Sequence, residues 1–341
     1  MQRFILGRVV QSIVSMFVVS VVVFALVRMS GDPIQIMMPA EATKADIELM
    51  RAHLGLDRPW TVQYWRFATQ ALQGDFGRSV RFRRPALDLV VERYGATLEL
   101  GGIAVLIVIL VALPVGVYSA VRRGSPLDYA ARAFAALGQA VPPFWLGLVL
   151  VLIFGVLLHL LPTSGRGTPL HVLLPGITLG WFAVAGLMRL TRSSMLDVLG
   201  SEYVKLARIK GLPERRVIWL HAFKNAALPV VTFAALLFVA LLNGSIIVET
   251  VFGWPGLGLL VIEAVDSRDY PIVQTVVLFL SAMYIGGNLL VDVLYAYLNP
   301  KIRHSRGATA PPSSPTRKSS PGAGATRAGR PARRWRVARG P

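Results

Sequence analysis

The sequence predicts an all-α integral membrane protein with six transmembrane helices and an outer-face insertion between the first and the second. Three observations predict it. Of 341 residues, 54% are hydrophobic and only 16% charged, where a soluble domain carries about 25% charged residues. Mean hydropathy is +0.56. The charges cluster between apolar runs, and a bilayer-spanning helix needs about 20 mostly apolar residues.

Six runs meet that demand: Ile5–Val27, Leu98–Ala120, Ala133–Leu161, Leu173–Met188, Ala226–Val248 and Ile272–Leu298. The first exceeds the ~7–15 apolar residues of a signal peptide, and the segment from Val27 to Pro33 offers no small-residue cleavage site. It reads as a retained helix. Within the third run, Pro142 and Pro143 start or kink the helix.

Basic residues in short loops set the orientation. Arg3 and Arg8 precede the first run, Arg122, Arg123 and Arg132 follow the second, and eight Lys or Arg lie between the fourth and fifth from Arg189 to Lys224. On the opposite face the short loops after the third and fifth runs hold only Arg166 and Arg268, and the segment 28–94 is too long to count under this rule. Both termini are therefore expected in the cytoplasm of a cell with the protein in its inner membrane. Residues 1–27 hold the N-terminus and first helix, 28–94 the outer insertion, and 95–303 a helical core with a cytoplasmic loop at 200–225. In the insertion, 42–54 has helical periodicity closed by Gly55 and Pro59, and 74–77 is a turn.

Residues 304–341 form a tail rich in Ala, Pro, Ser, Gly and Arg, expected to be disordered because it cannot bury a core. Eleven Lys or Arg from Lys301 onward leave +7 of the formal +18 for the rest of the chain. The high charge thus reports a tail and not a nucleic-acid-binding core. There is no cysteine, which removes disulfides, thiolate metal sites and cysteine nucleophiles. The five histidines are scattered, so no metal site is expected. No phosphate-binding G-x-x-x-x-G-K-[ST] occurs, so chemical energy must come from a partner.

The loop reads as two short helices joined at Gly211 and Pro213, with Gly ending the first and Pro beginning the second. Val204, Ala207, Ile209 and Leu212 give the first an apolar side. By physics alone such an element lies on membrane lipid or docks in a partner's groove, with equal weight.

The residues Tyr203-Val204, Ala207-Arg208, Lys210-Gly211-Leu212, Arg215-Arg216-Val217, His221-Ala222, Lys224-Asn225 and Pro229 resemble the coupling segment of binding-protein-dependent ABC permeases. The likeness is to their dipeptide/oligopeptide (peptide/nickel) form. Gly31-Asp32-Pro33, Leu54 to Pro59 with Tyr64, and Gly74-Asp75-Phe76-Gly77-Arg78-Ser79 resemble that family's outer insertion. Pro142 to Gly147, Glu249-x-x-Phe252-x-x-Pro255-Gly256-x-Gly258, Asp269-Tyr270-Pro271, Asn288-Leu289-x-x-Asp292-x-x-Tyr295 and Asn299-Pro300-x-Ile302-Arg303 continue the resemblance in order. One departure is Lys205, where the wider superfamily has Glu six residues before the loop Gly; the peptide-type subclass commonly has a basic residue there.

The resemblance implies a type I ABC importer permease that is not an enzyme. It would form half of a pathway for di- or oligopeptides or a related small solute. Its partners would be a second homologous permease, two ABC ATPase subunits, a solute-binding protein and membrane lipid, with no nucleic acid. It would bind no cofactor itself, ATP and Mg²⁺ belonging to the ATPases. Tyr203, Lys205, Ala207, Arg208, Lys210, Gly211, Leu212, His221 and Asn225 would form the coupling loop, with docking carried by Ala207, Gly211 and Leu212. Asn243 and Glu249, and more weakly Asn288 and Asp292, are candidates for the pathway or its gate. Asp292 is an intramembrane acid, functional by default, but a neighbouring cation would make it structural. An ion-coupled secondary transporter would show several intramembrane ionisable residues and repeats, which this chain lacks; an insertase or structural membrane protein is a third class.

Overall fold

The computed structural model describes residues 2–29, 34, 43–53 and 55–298. The expected tail, the Gly31-Asp32-Pro33 motif, Leu54 and the motif from Asn299 to Arg303 lie outside the described residues.

Helix α1 spans Gln2–Met29. The insertion holds α2 (Lys44–His53) and α3 (Trp60–Leu72). Helix α4 (Ala86–Val121) begins well before the apolar run, inside residues 28–94. Next come α5 (Pro126–Ala140) and α6 (Pro143–Leu157), then α7 (Leu173–Leu199) and α8 (Glu202–Ile209). Helix α9 runs from Glu214 to Val251, followed by α10 (Leu257–Asp266) and α11 (Tyr270–Leu298). Five of these helices are long and apolar enough to cross a membrane, or six if the α5–α6 pair counts as one span.

Two expectations need correction. The third apolar run is not one straight helix: α5 and α6 meet at 107°. Val141 and Pro142 are both extended, with ψ of 120° and 137°, because proline pushes its predecessor out of the helical region. The loop at 200–225 is not two free short helices either. Its second helix is the beginning of α9, joined to the spanning part through a π-helical stretch at Val217–Phe223. A polar start masks this continuity in the sequence.

The core forms where α4 packs on α7. Leu100, Ala104, Val108 and Ala112 meet Leu179, Ala183, Leu187 and Met188, all buried. Small side chains let the backbones approach, as is usual for helices in lipid, where dispersion and not water exclusion drives packing. A Cβ on Gly180 would stand 3.2 Å from the Ala104 carbonyl oxygen. Helix α1 stays outside this core. It rests on α11 through Val23, Val27 and Tyr270, while Leu6, Val10, Ile13, Val14 and Phe17 remain exposed.

The bundle has two ends. The insertion, the start of α4, α10 and the start of α11 gather at one. The ends of α4 and α7, helix α8 and the start of α9 gather at the other.

Candidate functional site

At the loop end, Ser201 takes an extended conformation and α8 follows. The helix closes through Gly211, whose φ is +76°, a region that side chains with a Cβ avoid. The Gly211 amide donates to the Arg208 carbonyl at 2.9 Å and the Leu212 amide to the Ala207 carbonyl at 3.4 Å. This pair of bonds is the Schellman closure, which is accompanied by an apolar contact across the turn. Leu212 and Ala207 supply it, packed in one cluster with Val117, Met195, Val217 and Ala222 from α4, α7 and α9.

Of the expected docking residues, Ala207 and Leu212 pack inward and Gly211 stays exposed. Val204 is fully buried, Ala207 is 7% exposed, and Leu212 packs beside them; three of the four apolar residues face the protein's own core. The outward face is Tyr203, Leu206 and Ile209, exposed by 43%, 55% and 79%. Spacing by three sets them along one side. Leu206 was missed in the sequence, although it lies on that spacing. Lys205 pairs with Glu202 at 2.7 Å. Arg208 grips Glu214 with two bonds of 3.2 and 2.7 Å, tying α8 to α9. Lys210 is exposed beside the turn. Where the π stretch returns to α-helix, Asn225 donates to the His221 carbonyl at 2.7 Å.

The loop end also holds a buried ion pair. Arg192 on α7 donates to both oxygens of Asp128 at 2.8 and 3.1 Å. Ser119 and the Gly124 amide also donate to it, and Arg132 stands 3.7 Å away on the exposed side. Asp128 is 1% exposed and sits in the first turn of α5, its own amide held by Ser125. Sequence reading passed over it. The signal was Ser125-Pro126-Leu127-Asp128, an N-cap with proline next and an acid in the third helical position.

At the insertion end, Glu249 is fully buried. One carboxylate oxygen accepts from Thr97 at 2.9 Å and Ser245 at 2.8 Å; the other accepts the Gly258 and Leu259 amides at 2.6 and 3.2 Å. The Leu257 amide donates to Thr97 at 2.8 Å. The first three amides of α10 are thus satisfied by α9 and α4, and a carboxylate stands at the positive end of that helix. Glycine at 258 is required, since a Cβ there would fall 2.5 Å from the Ile246 Cα. In this conformation Glu249 anchors a helix and lines no open path. Asn243 lies two turns earlier on α9, half-buried.

Asp292 has a partner: Arg8 of α1, at 3.1 Å. Asn288, Gln11, Ser12 and Tyr284 line the same cleft of ≈ 360 Å³ between α1 and α11. The structure therefore separates the candidates into three places: the α8 turn, the Glu249 anchor and the Asp292 cleft.

Family comparison bears on this arrangement. Residues 1–101 match the N-terminal part, and 112–304 the main part, of the "binding-protein-dependent transport system inner membrane component". The chain belongs to that family. It is a multi-pass inner-membrane permease subunit of an ABC importer and not an enzyme. Such permeases work with separate ATPase subunits and a binding protein.

The permease is 43% identical over 305 residues to the glutathione transport system permease protein GsiC of Salmonella paratyphi A, covering 89% of this chain and 100% of that one. The GsiC protein of Escherichia coli K12 is 42% identical over the same length and coverage. Among solved structures, an amino acid ABC transporter with histidines aligns at 16% identity and a TM-score of 0.49, covering 62% of the permease and 94% of that chain.

Proposed function

We propose that the permease takes up a small peptide-like solute, of the di- or oligopeptide class that includes glutathione, across the inner membrane. The substrate reading rests on the GsiC relatives, which match along their whole length. Two homologous permease subunits form the pathway, two ATPases dock on the loop end, and a solute-binding protein docks on the insertion end. The N-terminus and α8 lie in the cytoplasm. ATP and Mg²⁺ stay with the ATPases, and this chain holds no cofactor.

The observation that carries the coupling role is the two-sidedness of α8. Val204 and Ala207 lock it to the ends of α4, α7 and α9, while Tyr203, Leu206 and Ile209 stand exposed. An apolar helix face with basic flanks is what a groove on a partner accepts. ATP-driven closure of the ATPases then moves α8 and the three helix ends as one body. This switches the pathway between inward and outward access.

Substitution on the two sides tests this. Ile209→Asp and Leu206→Asp should leave the permease in the membrane at normal level, yet abolish uptake and ATPase association. Ala207→Leu should instead reduce the amount of folded subunit, because overpacking costs about 1–3 kcal/mol. Normal uptake by Ile209→Asp with Leu206→Asp would remove the coupling role from this face. The cysteine-free sequence makes orientation directly measurable: a cysteine at 209 should react with an impermeant maleimide only from the cytoplasmic side.

A further inference from the structure

The insertion packs along the membrane part of α1 and does not stand clear of it. Tyr64 of α3 hydrogen-bonds Ser20 at 2.8 Å, and the Tyr64 and Phe67 rings lie 5.5 and 5.8 Å from Phe24. Ser20 is nine residues below the end of α1, or ~13 Å at ~1.5 Å per residue. That depth is within one leaflet's share of a hydrocarbon core about 30 Å thick. Trp60, Trp65 and Leu72 on α3 are exposed by 55%, 65% and 89%. Exposed tryptophans on an amphipathic helix at this depth mark an element lying in the membrane interface.

Two adjoining pockets flank this helix. One, of ≈ 350 Å³, is lined by the guanidinium-bearing Arg28, Arg58 and Arg66 with Gln63 and Gln70. Among the described residues lining it the one acid is Asp75, which accepts the Gly77 amide at 2.9 Å. The other, of ≈ 290 Å³, is lined by Met16 of α1, Ala68 and Ala71 of α3, and Leu278 and Ala282 of α11. Phe67 and Phe76 line both pockets. A cationic pocket thus shares its walls with an apolar one, at the depth where headgroups give way to acyl chains.

We propose that this pair of pockets binds one anionic glycerophospholipid, its phosphate between Arg58 and Arg66 and an acyl chain between α1, α3 and α11. Guanidinium groups form forked hydrogen bonds to phosphate oxygens, and the neighbouring apolar pocket gives an acyl chain a place that a free phosphate would leave empty. The lipid fastens α3 to the crossing of α1 and α11 and so holds the insertion in its docked position. Placement in the outer leaflet rests on the orientation proposed above; lipid retention does not, so the two can fail separately.

The assembled transporter, purified in mild detergent, tests the site by native mass spectrometry and by binding of fluorescent phosphatidylglycerol against phosphatidylcholine. Wild type should retain phosphatidylglycerol and prefer it at least fivefold. Arg58→Ala with Arg66→Ala should remove the preference, and Arg58→Lys with Arg66→Lys should restore part of it in a subunit that assembles normally. Ala71→Trp, which fills the apolar pocket, should lose retention with the arginines intact. Inorganic phosphate should not displace the lipid from wild type.

Unchanged phosphatidylglycerol preference in the double alanine variant would overturn the proposal. So would phosphate binding that Ala71→Trp leaves intact, which would reveal a site for a free anion. A photocrosslinker at position 72 that labels the second permease or the binding protein, and not lipid, would show a protein interface in its place.

Discussion

Ser79 and Asp269 stand 190 positions apart and share a 2.5 Å hydrogen bond. The same Asp269 oxygen accepts the Arg81 amide at 3.0 Å. This buried carboxylate fastens the turn after Phe76 to the head of α11, next to the place where Pro271 packs near Gly77. Two motifs from opposite ends of the sequence, Gly74 to Ser79 and Asp269 to Pro271, are two halves of one clasp.

Removing the clasp should loosen the insertion without disturbing the bundle core. Asp269→Ala leaves the Ser79 hydroxyl and the Arg81 amide without an acceptor, at a cost of about 1–3 kcal/mol. Limited proteolysis should then cut within the insertion sooner than in wild type, with the loop end equally resistant. Ser79→Ala removes one donor only and should have the smaller effect.

The Glu249 anchor makes a sharper demand. Glu249→Gln keeps the shape and one acceptor oxygen for the Gly258 and Leu259 amides, but it removes the charge and turns an amide donor toward Thr97 and Ser245. Loss of a charged acceptor at a helix N-terminus should lower stability by about 1–3 kcal/mol. Gly258→Ala meets backbone and should be worse. Thermal unfolding of the purified transporter measures both; equal melting temperatures for wild type and Glu249→Gln would show that the charge contributes nothing.

At the loop end, Arg192→Ala would leave the buried Asp128 carboxylate with only the half-exposed Arg132, 3.7 Å away, as a cation. Breaking a buried pair from one side costs about 3–5 kcal/mol, so the subunit should fail to accumulate. Arg192→Ala combined with Asp128→Asn should recover part of the loss, since no buried charge then remains. Failure of the double variant to recover any subunit would assign the effect to packing.

Asp292 separates ATP-driven from ion-driven transport. Its partner is Arg8, and Asp292→Asn keeps the shape and one acceptor for that arginine. Uptake into proteoliposomes by this variant should stay dependent on ATP and survive an ionophore that collapses the proton gradient. Uptake that persists without ATP and stops with the ionophore would contradict the family's mechanism.

Much of the bundle is legible in the sequence because spanning runs must be apolar throughout. The break at Pro142 is legible as a kink, but its 107° depends on how Gly138 and Gly147 seat against α7 and α9. The sidedness of α8 is not legible. Periodicity finds Val204 and Ile209 equally apolar, and only packing shows that Val204 is fully buried whereas Ile209 is 79% exposed. Asp128 escaped notice, and Asp269 was read as part of a motif without its partner, because Arg192 and Ser79 lie far away in the chain. Glu249 was noticed as an acid near a helix end, but the amides it holds belong to a helix that begins after an irregular turn.

Helix α9 is continuous for 38 residues, from Glu214 to Val251, ~57 Å at ~1.5 Å per residue. Glu214, beside the α8 turn, and Glu249, under α10, are therefore two ends of a single rod. Pro229 lies inside this helix, where a backbone hydrogen bond is lost, so the two ends share one backbone that can bend at that point. The π-helical stretch at Val217–Phe223 sets the rod's rotational phase. Deleting one residue there would turn everything above it by about 100°, and Glu249 would face away from the helix it holds.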